Sequence, residues 1–296
     1  MFLVTSLAGI RIARMRYFMA VIVSHSLICL SSFSCHSEVK FILNDTSIAR
    51  VFAEIDNADH DYLEVEVHEN NGQNLFGKLK DNPSQSYQKT MELIRLFNPK
   101  TNSNDHRRLQ RQIDAYMDYL NNFDVVKIAL ARTNTTIEKL RNNWFGSGRG
   151  FEHIIAGELK GRKVSGYHWW YRYFVDQQKG LVKYVNSKKG IGDPNVFIGS
   201  FYWDPDGSGP LPLSYKKLGG FHIGQSAPAL IAAGHVAMEF SRRGGYGFVA
   251  PYRGQTYYWQ TYSVQGNLRT MFCKLYKHSK AFRNKLFQHL HKPSLE

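Results

Sequence analysis

The chain has 296 residues, 43% hydrophobic and 14% aromatic, enough apolar material for a packed core and too much for a wholly disordered chain. Three cysteines exclude a disulfide scaffold and leave too few thiolates for a structural zinc site. Lys and Arg number 38 against 24 Asp and Glu, a formal charge of +14 that suits a polyanionic partner, a nucleic acid or an anionic membrane surface, and equally a basic secreted protein.

Residues 1–37 stand apart. Arg11, Arg14 and Arg16 precede an apolar run over 17–30, small residues follow, and no acid occurs before Glu38. A basic start, a short apolar run and a small-residue exit predict a secretory signal peptide, cleaved after Ser34 or Ser37, with an N-terminal membrane anchor as the alternative. Cleavage after Ser37 leaves Cys273 as the one remaining thiol, so the mature, secreted chain is expected to do without an internal disulfide. Removing the three arginines of this acid-free segment takes the charge from +14 to +11. No second run approaches the ~20 apolar residues of a membrane span, so no stable membrane insertion is expected after cleavage.

Residues 38–85 are polar and rich in Asn and Asp, and read as an N-terminal extension of unknown role, appended or loosely ordered. From 86 the spacing turns helical. Leu109, Ile113, Met117 and Leu120 fall at i, i+4, i+8 and i+11 on one face of a helix that Asp105 is placed to cap. Val125, Ile128 and Ala129 repeat the period, and Thr135 with Glu138 three residues on forms a capping box for a helix over 137–144. These stripes predict core packing.

At Gly-Ser-Gly-Arg-Gly, 146–150, the character changes. Short β-rich runs follow at 151–159, 196–203, 218–224, 246–250, 256–264 and 268–275. Two helices interrupt them, one over 168–178 and one over 226–242, with Ser226 as its N-cap and Pro228 in its first turn. A helical half (86–145) followed by a β-rich half (146–275) predicts an α+β fold, the second half holding paired antiparallel sheets and two helices. The glycine loop lacks both a preceding strand and a Lys-Ser/Thr pair, so it is no phosphate cradle and reads as a hinge into the next strand. Residues 276–296, with Lys277, Lys280, Arg283, Lys285 and Lys292, read as a basic terminal helix. Asn44-Asp-Thr and Asn134-Thr-Thr are short glycosylation sequons.

Two histidines stand out. His153 lies in Gly-Phe-Glu-His-Ile-Ile-Ala-Gly-Glu (150–158) and His168 in Ser-Gly-Tyr-His-Trp-Trp (165–170), with a turn at Gly161 between them. Strand, turn, short strand and helix fold the two imidazoles back toward each other. Such a pair suits general acid–base catalysis, because an unperturbed pKa near ~6.5 lets one ring be neutral while the other is protonated near neutral pH. The positive end of the helix dipole is expected to keep His168 neutral, the form a base needs.

These motifs resemble the EndoU (XendoU-like) endoribonuclease family, whose members carry Gly-Phe-Glu-His-x-x-x-Gly-Glu and then Ser-Gly-x-His-x-Trp. Asn-Trp-Phe at 143–145, Lys-Gly-Leu-Val from 179, Phe201-x-Trp203, the segment from Lys216 to Pro228, Gln-Thr-Tyr at 260–262 and the closing strand 268–272 agree with it, so the resemblance covers 86–275. It implies cleavage of single-stranded RNA, preferably at uridylates, by attack of the 2′-hydroxyl to give 2′,3′-cyclic phosphate ends. DNA, which lacks that hydroxyl, is not an expected substrate. In the family two histidines and a lysine do this work. By resemblance His168 is the base, His153 the acid and Lys216 the charge-stabilising cation; the reversed histidine roles and Lys217 remain open alternatives. Thr270 and Phe272 are the implied substrate-binding residues. Two departures bear on uridine preference: Gly220 stands where the family often has a hydroxyl residue, and Phe272 where it usually has tyrosine. Manganese stimulation is implied by the family, but no residues resemble a metal cage, since Glu152 and Glu158 read as isolated carboxylates on a strand. An effector or toxin role and an inhibitor protein as partner are compatible with these features, and a non-catalytic RNA-binding module is the alternative function.

Overall fold

The computed structural model describes residues 40–42, 46–68, 74–100, 105–187, 195–208, 214–241 and 246–275. The expected signal segment, the basic terminal helix and the Asn44 sequon lie outside them. The described residues all fall in the unit Val39–Glu296.

The first elements are strand β1 (Lys40–Ile42), helix α1 (Thr46–Asn57) and the hairpin β2 (Val65–Val67) and β3 (Phe76–Leu79). Helices α2 (Gln85–Ile94), the single turn α3 (Asp105–Arg108), α4 (Gln110–Leu120), α5 (Asp124–Thr133) and α6 (Ile137–Phe145) follow. The stripe Ile113, Met117 and Leu120 is buried on α4 as its period predicts. Asp105 does not cap that helix directly. It opens the turn before it, where it accepts from Asn98 N at 2.5 Å and from Arg108. The cap of α6 is Thr136, whose hydroxyl accepts from Lys139 N at 3.4 Å, one residue later than the capping box suggested. Thr135 Oγ1 instead lies 2.7 Å from Nε2 of the buried His235.

The extension expected over 38–85 does not stand apart. Ile48, Val51, Phe52 and Ile55, spaced i, i+3, i+4 and i+7, are buried along one face of α1. Phe52 meets Phe248 and Trp259 edge-on at 5.1 and 4.9 Å between ring centroids. On the other faces of α1, Ser47 and Arg50 are exposed and Glu54 and Asp56 half-buried. Phe52→Ala should therefore destabilise the whole unit by about 3–5 kcal/mol, read as a drop in Tm; an unchanged Tm would mean that α1 is dispensable.

In the second half a π-helical turn (Phe151–Ala156) leads into β4 (Glu158–Lys160) and β5 (Lys163–Ser165), then α7 (Trp170–Gln178). Strands β6 (Val182–Ser187), β7 (Val196–Trp203) and β8 (Ser214–His222) precede α8 (Ala227–Ser241), and β9 (Tyr246–Tyr252), β10 (Gln255–Val264) and β11 (Asn267–Leu275) close the fold. One sheet has the order β4-β5-β8-β7-β6 and another β1-β9-β10-β11. They are antiparallel except at β5/β8 and β1/β9, which run parallel. The architecture is α+β. Helix α8, capped by the hydroxyl of Ser226 on Ala229 N at 3.1 Å, is buried on every side from Ala227 to Met238, as a helix apolar all round must be.

Three expectations change here. Residues 151–156 are a π-helical turn and not a strand: a short run buried throughout, Glu152 and His153 included, carries no periodicity that distinguishes a buried helical turn from a strand. Helix α7 begins at Trp170, so His168 precedes its N-cap, Trp169. The glycine loop is packed and is no hinge, because a Cβ on Gly148 would lie 2.2 Å from the carbonyl oxygen of Leu268 on β11.

Candidate active site

Four of the sequence-selected residues converge. The imidazoles of His153 and His168 face each other with ring centroids 5.8 Å apart. Lys216 is close enough that its charge lowers the pKa of both rings. Phe272 lies against His168 at 5.9 Å with ring planes 23° apart. Thr270 is two residues before Phe272 on β11, opposite Tyr262, and its Oγ1 is buried without a hydrogen-bond partner among the described residues.

The expected hairpin does bring the histidines together, through a tighter device than a turn at Gly161. The chain over 166–168 lies directly on the π-helical turn: Tyr167 N donates to His153 O at 2.7 Å and His168 N to Ile154 O at 2.6 Å. Gly166, at φ +86°, comes so close to His153 that a Cβ would sit 2.0 Å from its carbonyl oxygen. Tyr167 also takes a left-handed φ of 73°, a strained conformation for a residue with a side chain. A buried network holds it there. Tyr167 Oη donates to Asp176 Oδ2 at 2.8 Å, and the same oxygen accepts from Arg172 Nε at 2.8 Å and Trp203 Nε1 at 2.9 Å. Trp169 and Trp170 fix the other end by donating to Gln225 O at 3.2 and 2.9 Å.

Each histidine is oriented through Nδ1. His168 Nδ1 lies 2.8 Å from Gly220 O, and a carbonyl only accepts, so Nδ1 carries the hydrogen and Nε2 is left with a free lone pair. His153 Nδ1 lies 3.0 Å from Glu158 Oε2. Burial raises the proton affinity of Glu158, but hydrogen bonds from His153 and Arg269 outweigh it and hold the carboxylate below its ordinary pKa. An ionised carboxylate likewise only accepts, so His153 also presents Nε2 to the site. Glu158 is not the isolated carboxylate its sequence context suggested; Arg269 Nη1 donates to its Oε1 at 3.2 Å and Nη2 to Oε2. Two residues essential to this geometry, Glu158 and Gly166, were visible only as parts of the Gly-Glu and Ser-Gly-x-His motifs.

The two rings differ electrostatically. Burial, then the charges of Lys216 and His153, push His168 well below the ordinary histidine pKa. Burial lowers His153 too, but its hydrogen bond to Glu158 works against the shift. His168 is therefore the more readily neutral ring, by burial and neighbouring cations, since the helix start invoked from sequence lies beyond it. Lys216 is buried on β8, donates to Gly166 O, and has its pKa lowered to about 8 by burial. It is still cationic at neutral pH. Lys217, one residue on, faces the opposite side and is exposed, as strand alternation requires.

A resident metal ion does not fit these residues. Among the described residues no three His, Cys, Asp or Glu side chains come together, and Glu158 is already engaged by His153 and Arg269. Glu152 is buried, its pKa raised to about 7 by that burial, and lies 3.8 Å from Arg149 and 4.0 Å from His106.

Comparison with known proteins gives a consistent result. A family profile described as endoribonuclease XendoU matches residues 56–276. A human protein named uridylate-specific endoribonuclease is 34% identical over 102 residues, 30% of this chain and 23% of that protein. Uridylate-specific endoribonuclease C of Xenopus laevis is 28% identical over 119 residues, 36% of this chain and 37% of that protein. The matched stretch thus spans well under half of these curated relatives. A solved structure of XendoU, described as a splicing-independent snoRNA-processing endoribonuclease, shares the fold with a TM-score of 0.63 at 17% identity, covering 79% of this chain and 98% of that one.

Proposed function

The chain belongs to the endoribonuclease XendoU family, and we propose that it cuts single-stranded RNA, preferably at uridylates, leaving 2′,3′-cyclic phosphate ends. The observation that carries this reading is the pair of facing imidazoles, each tied through Nδ1 and each presenting Nε2. Nε2 of neutral His168 takes the proton from the 2′-hydroxyl. The 2′-oxygen attacks the adjacent phosphorus, and His153 gives its Nε2 proton to the departing 5′-oxygen. Glu158 stabilises the imidazolium that this requires. Lys216 stabilises the negative charge that grows on the phosphoryl oxygens, in a buried site where one cation acts strongly. Phe272, beside His168, offers a face on which the base 5′ of the cut stacks, an interaction of about 1–3 kcal/mol. Gly220 supplies only its carbonyl, already used by His168, and Phe272 has no phenol, so uridine is preferred without being strictly required.

A non-catalytic RNA-binding module has no use for two imidazoles so held. Secretion rests on the composition of 1–37 alone. Manganese is expected to stimulate through the phosphates of the RNA, so chelation should slow cleavage without abolishing it. The direct test is an oligonucleotide whose single cleavable uridine carries a 2′-deoxyribose. It should resist while its ribose counterpart is cut, and cutting of both would exclude attack by the 2′-hydroxyl. On the ribose substrate Lys216→Ala should lower kcat, whereas Lys217→Ala should not; equal losses would remove Lys216 from the mechanism.

A further inference from the structure

A cleft of about 810 Å³ lies next to Glu158, and the reaction described above does not use it. Four basic residues line it, Lys100, Arg149, Lys160 and Arg269, together with the hydroxyl residues Ser147 and Ser165; Arg269 and Arg149 are ion-paired with Glu158 and Glu152, and Lys100 and Lys160 are exposed. Its walls are fixed by backbone. Leu159 N donates to Pro99 O at 2.6 Å, and Lys100 forms a bridge with Leu159, which sets Lys100 beside Lys160. Arg149 is held at a left-handed φ of 53°, and its Nη1, buried with no hydrogen bond among the described residues, lies 3.8 Å from Glu152 Oε2.

The position of the cleft relative to the histidines gives it a direction. Arg269 both lines the cleft and hydrogen-bonds Glu158, the partner of His153. The cleft therefore opens on the side of His153, whereas Phe272 lies on the side of His168. In the reaction proposed above, His168 serves the nucleotide that carries the attacking 2′-hydroxyl and His153 the nucleotide that leaves. We infer that the cleft is the subsite for the RNA backbone 3′ of the cut, its cations pairing with the phosphates of the departing strand. This inference rests on the proposed reaction and adds the polarity with which the strand lies across the site.

The test uses fluorescent oligonucleotides with one uridine at the cleavage position, extended by several nucleotides either 3′ or 5′ of it. Each is prepared in a cleavable ribose form and an uncleavable 2′-deoxyuridine form, for KM and for Kd respectively. The wild-type chain should gain more from the 3′ extension in both. The double variant Lys100→Ala/Lys160→Ala, which removes two exposed side chains, should raise KM and Kd several-fold for the 3′-extended strand while leaving kcat and the 5′-extended strand unchanged. Its log Kd against log salt should be shallower by about 0.7 for each phosphate that the variant no longer neutralises. Lys217→Ala, an exposed lysine on the far side of β8, should do neither. Equal gains from the two extensions, or a double variant that weakens both strands alike, would overturn the inference. A chain that cuts no RNA yet binds the 3′-extended strand more tightly would overturn the catalytic reading and not the cleft. One that cuts RNA with no 3′ preference would do the reverse.

Discussion

His168→Ala should lower kcat/KM on a uridine-containing oligonucleotide by about 100- to 10,000-fold, the range that general acid–base groups contribute, with Tm nearly unchanged. His153→Ala should do the same, and the double variant should fall little further, because in the proposed reaction the two rings serve one proton-transfer sequence. The pH profile carries more information than the loss itself. The proposed reaction needs His168 neutral, so kcat/KM should rise as pH climbs through the pKa of His168. That reaction also needs His153 protonated, so kcat/KM should fall as pH climbs through the pKa of His153. Burial holds both below the ordinary histidine value of ~6.5, and His168 further below. The optimum should therefore lie on the acid side of ~6.5, a region in which Lys216, with a pKa of about 8, is fully charged. Glu158→Gln removes the interaction that supports the His153 proton, so it should move the alkaline limb to lower pH and leave the acid limb in place. Movement of the acid limb instead would assign the base to His153.

Gly166→Ala is the second large effect, and it reaches activity through the backbone. At φ +86° a side chain costs about 1–2 kcal/mol, and a Cβ placed 2.0 Å from His153 O forces the 166–168 segment off the π-helical turn. With overpacking of about 1–3 kcal/mol added, the loss should be roughly 2–5 kcal/mol, or about 5–20 °C in Tm for a unit of this size. Activity should fall further than stability explains, because the shifted segment carries His168 away from His153. Gly180→Ala is the control. It too replaces a glycine at positive φ, 71°, but nothing lies within 4 Å of the new Cβ, so it should cost only the backbone strain and leave kcat intact. Equal kinetic damage from the two variants would mean that Gly166 does not set the distance between the rings.

The histidine pair was legible in sequence because both rings sit in one local stretch, 153–168, whose glycines announce close turns. What held them was not. Glu158 looked isolated because Arg269, which keeps it ionised, is 111 residues away. The choice between Lys216 and Lys217 turns on strand register, with Lys216 paired to Phe201 across β7 and β8, and adjacent lysines carry no trace of it. The π-helical turn was hidden because Phe-Glu-His-Ile-Ile-Ala is buried throughout, which removes the polar alternation that separates strand from helix. In α1 the period was present at 48, 51, 52 and 55, but composition averaged over a polar segment obscured it.

The central claim is that the RNA's own 2′-oxygen displaces the 5′-oxygen while two imidazoles move the protons. The measurement that tests it most directly is the mass of the 5′ fragment after cleavage of a short oligonucleotide with one uridine. A fragment ending in a 2′,3′-cyclic phosphate, with a 5′-hydroxyl on the other product, is the predicted result. A fragment ending in a 3′-hydroxyl, with the phosphate left on the 5′ end of its partner, would contradict it.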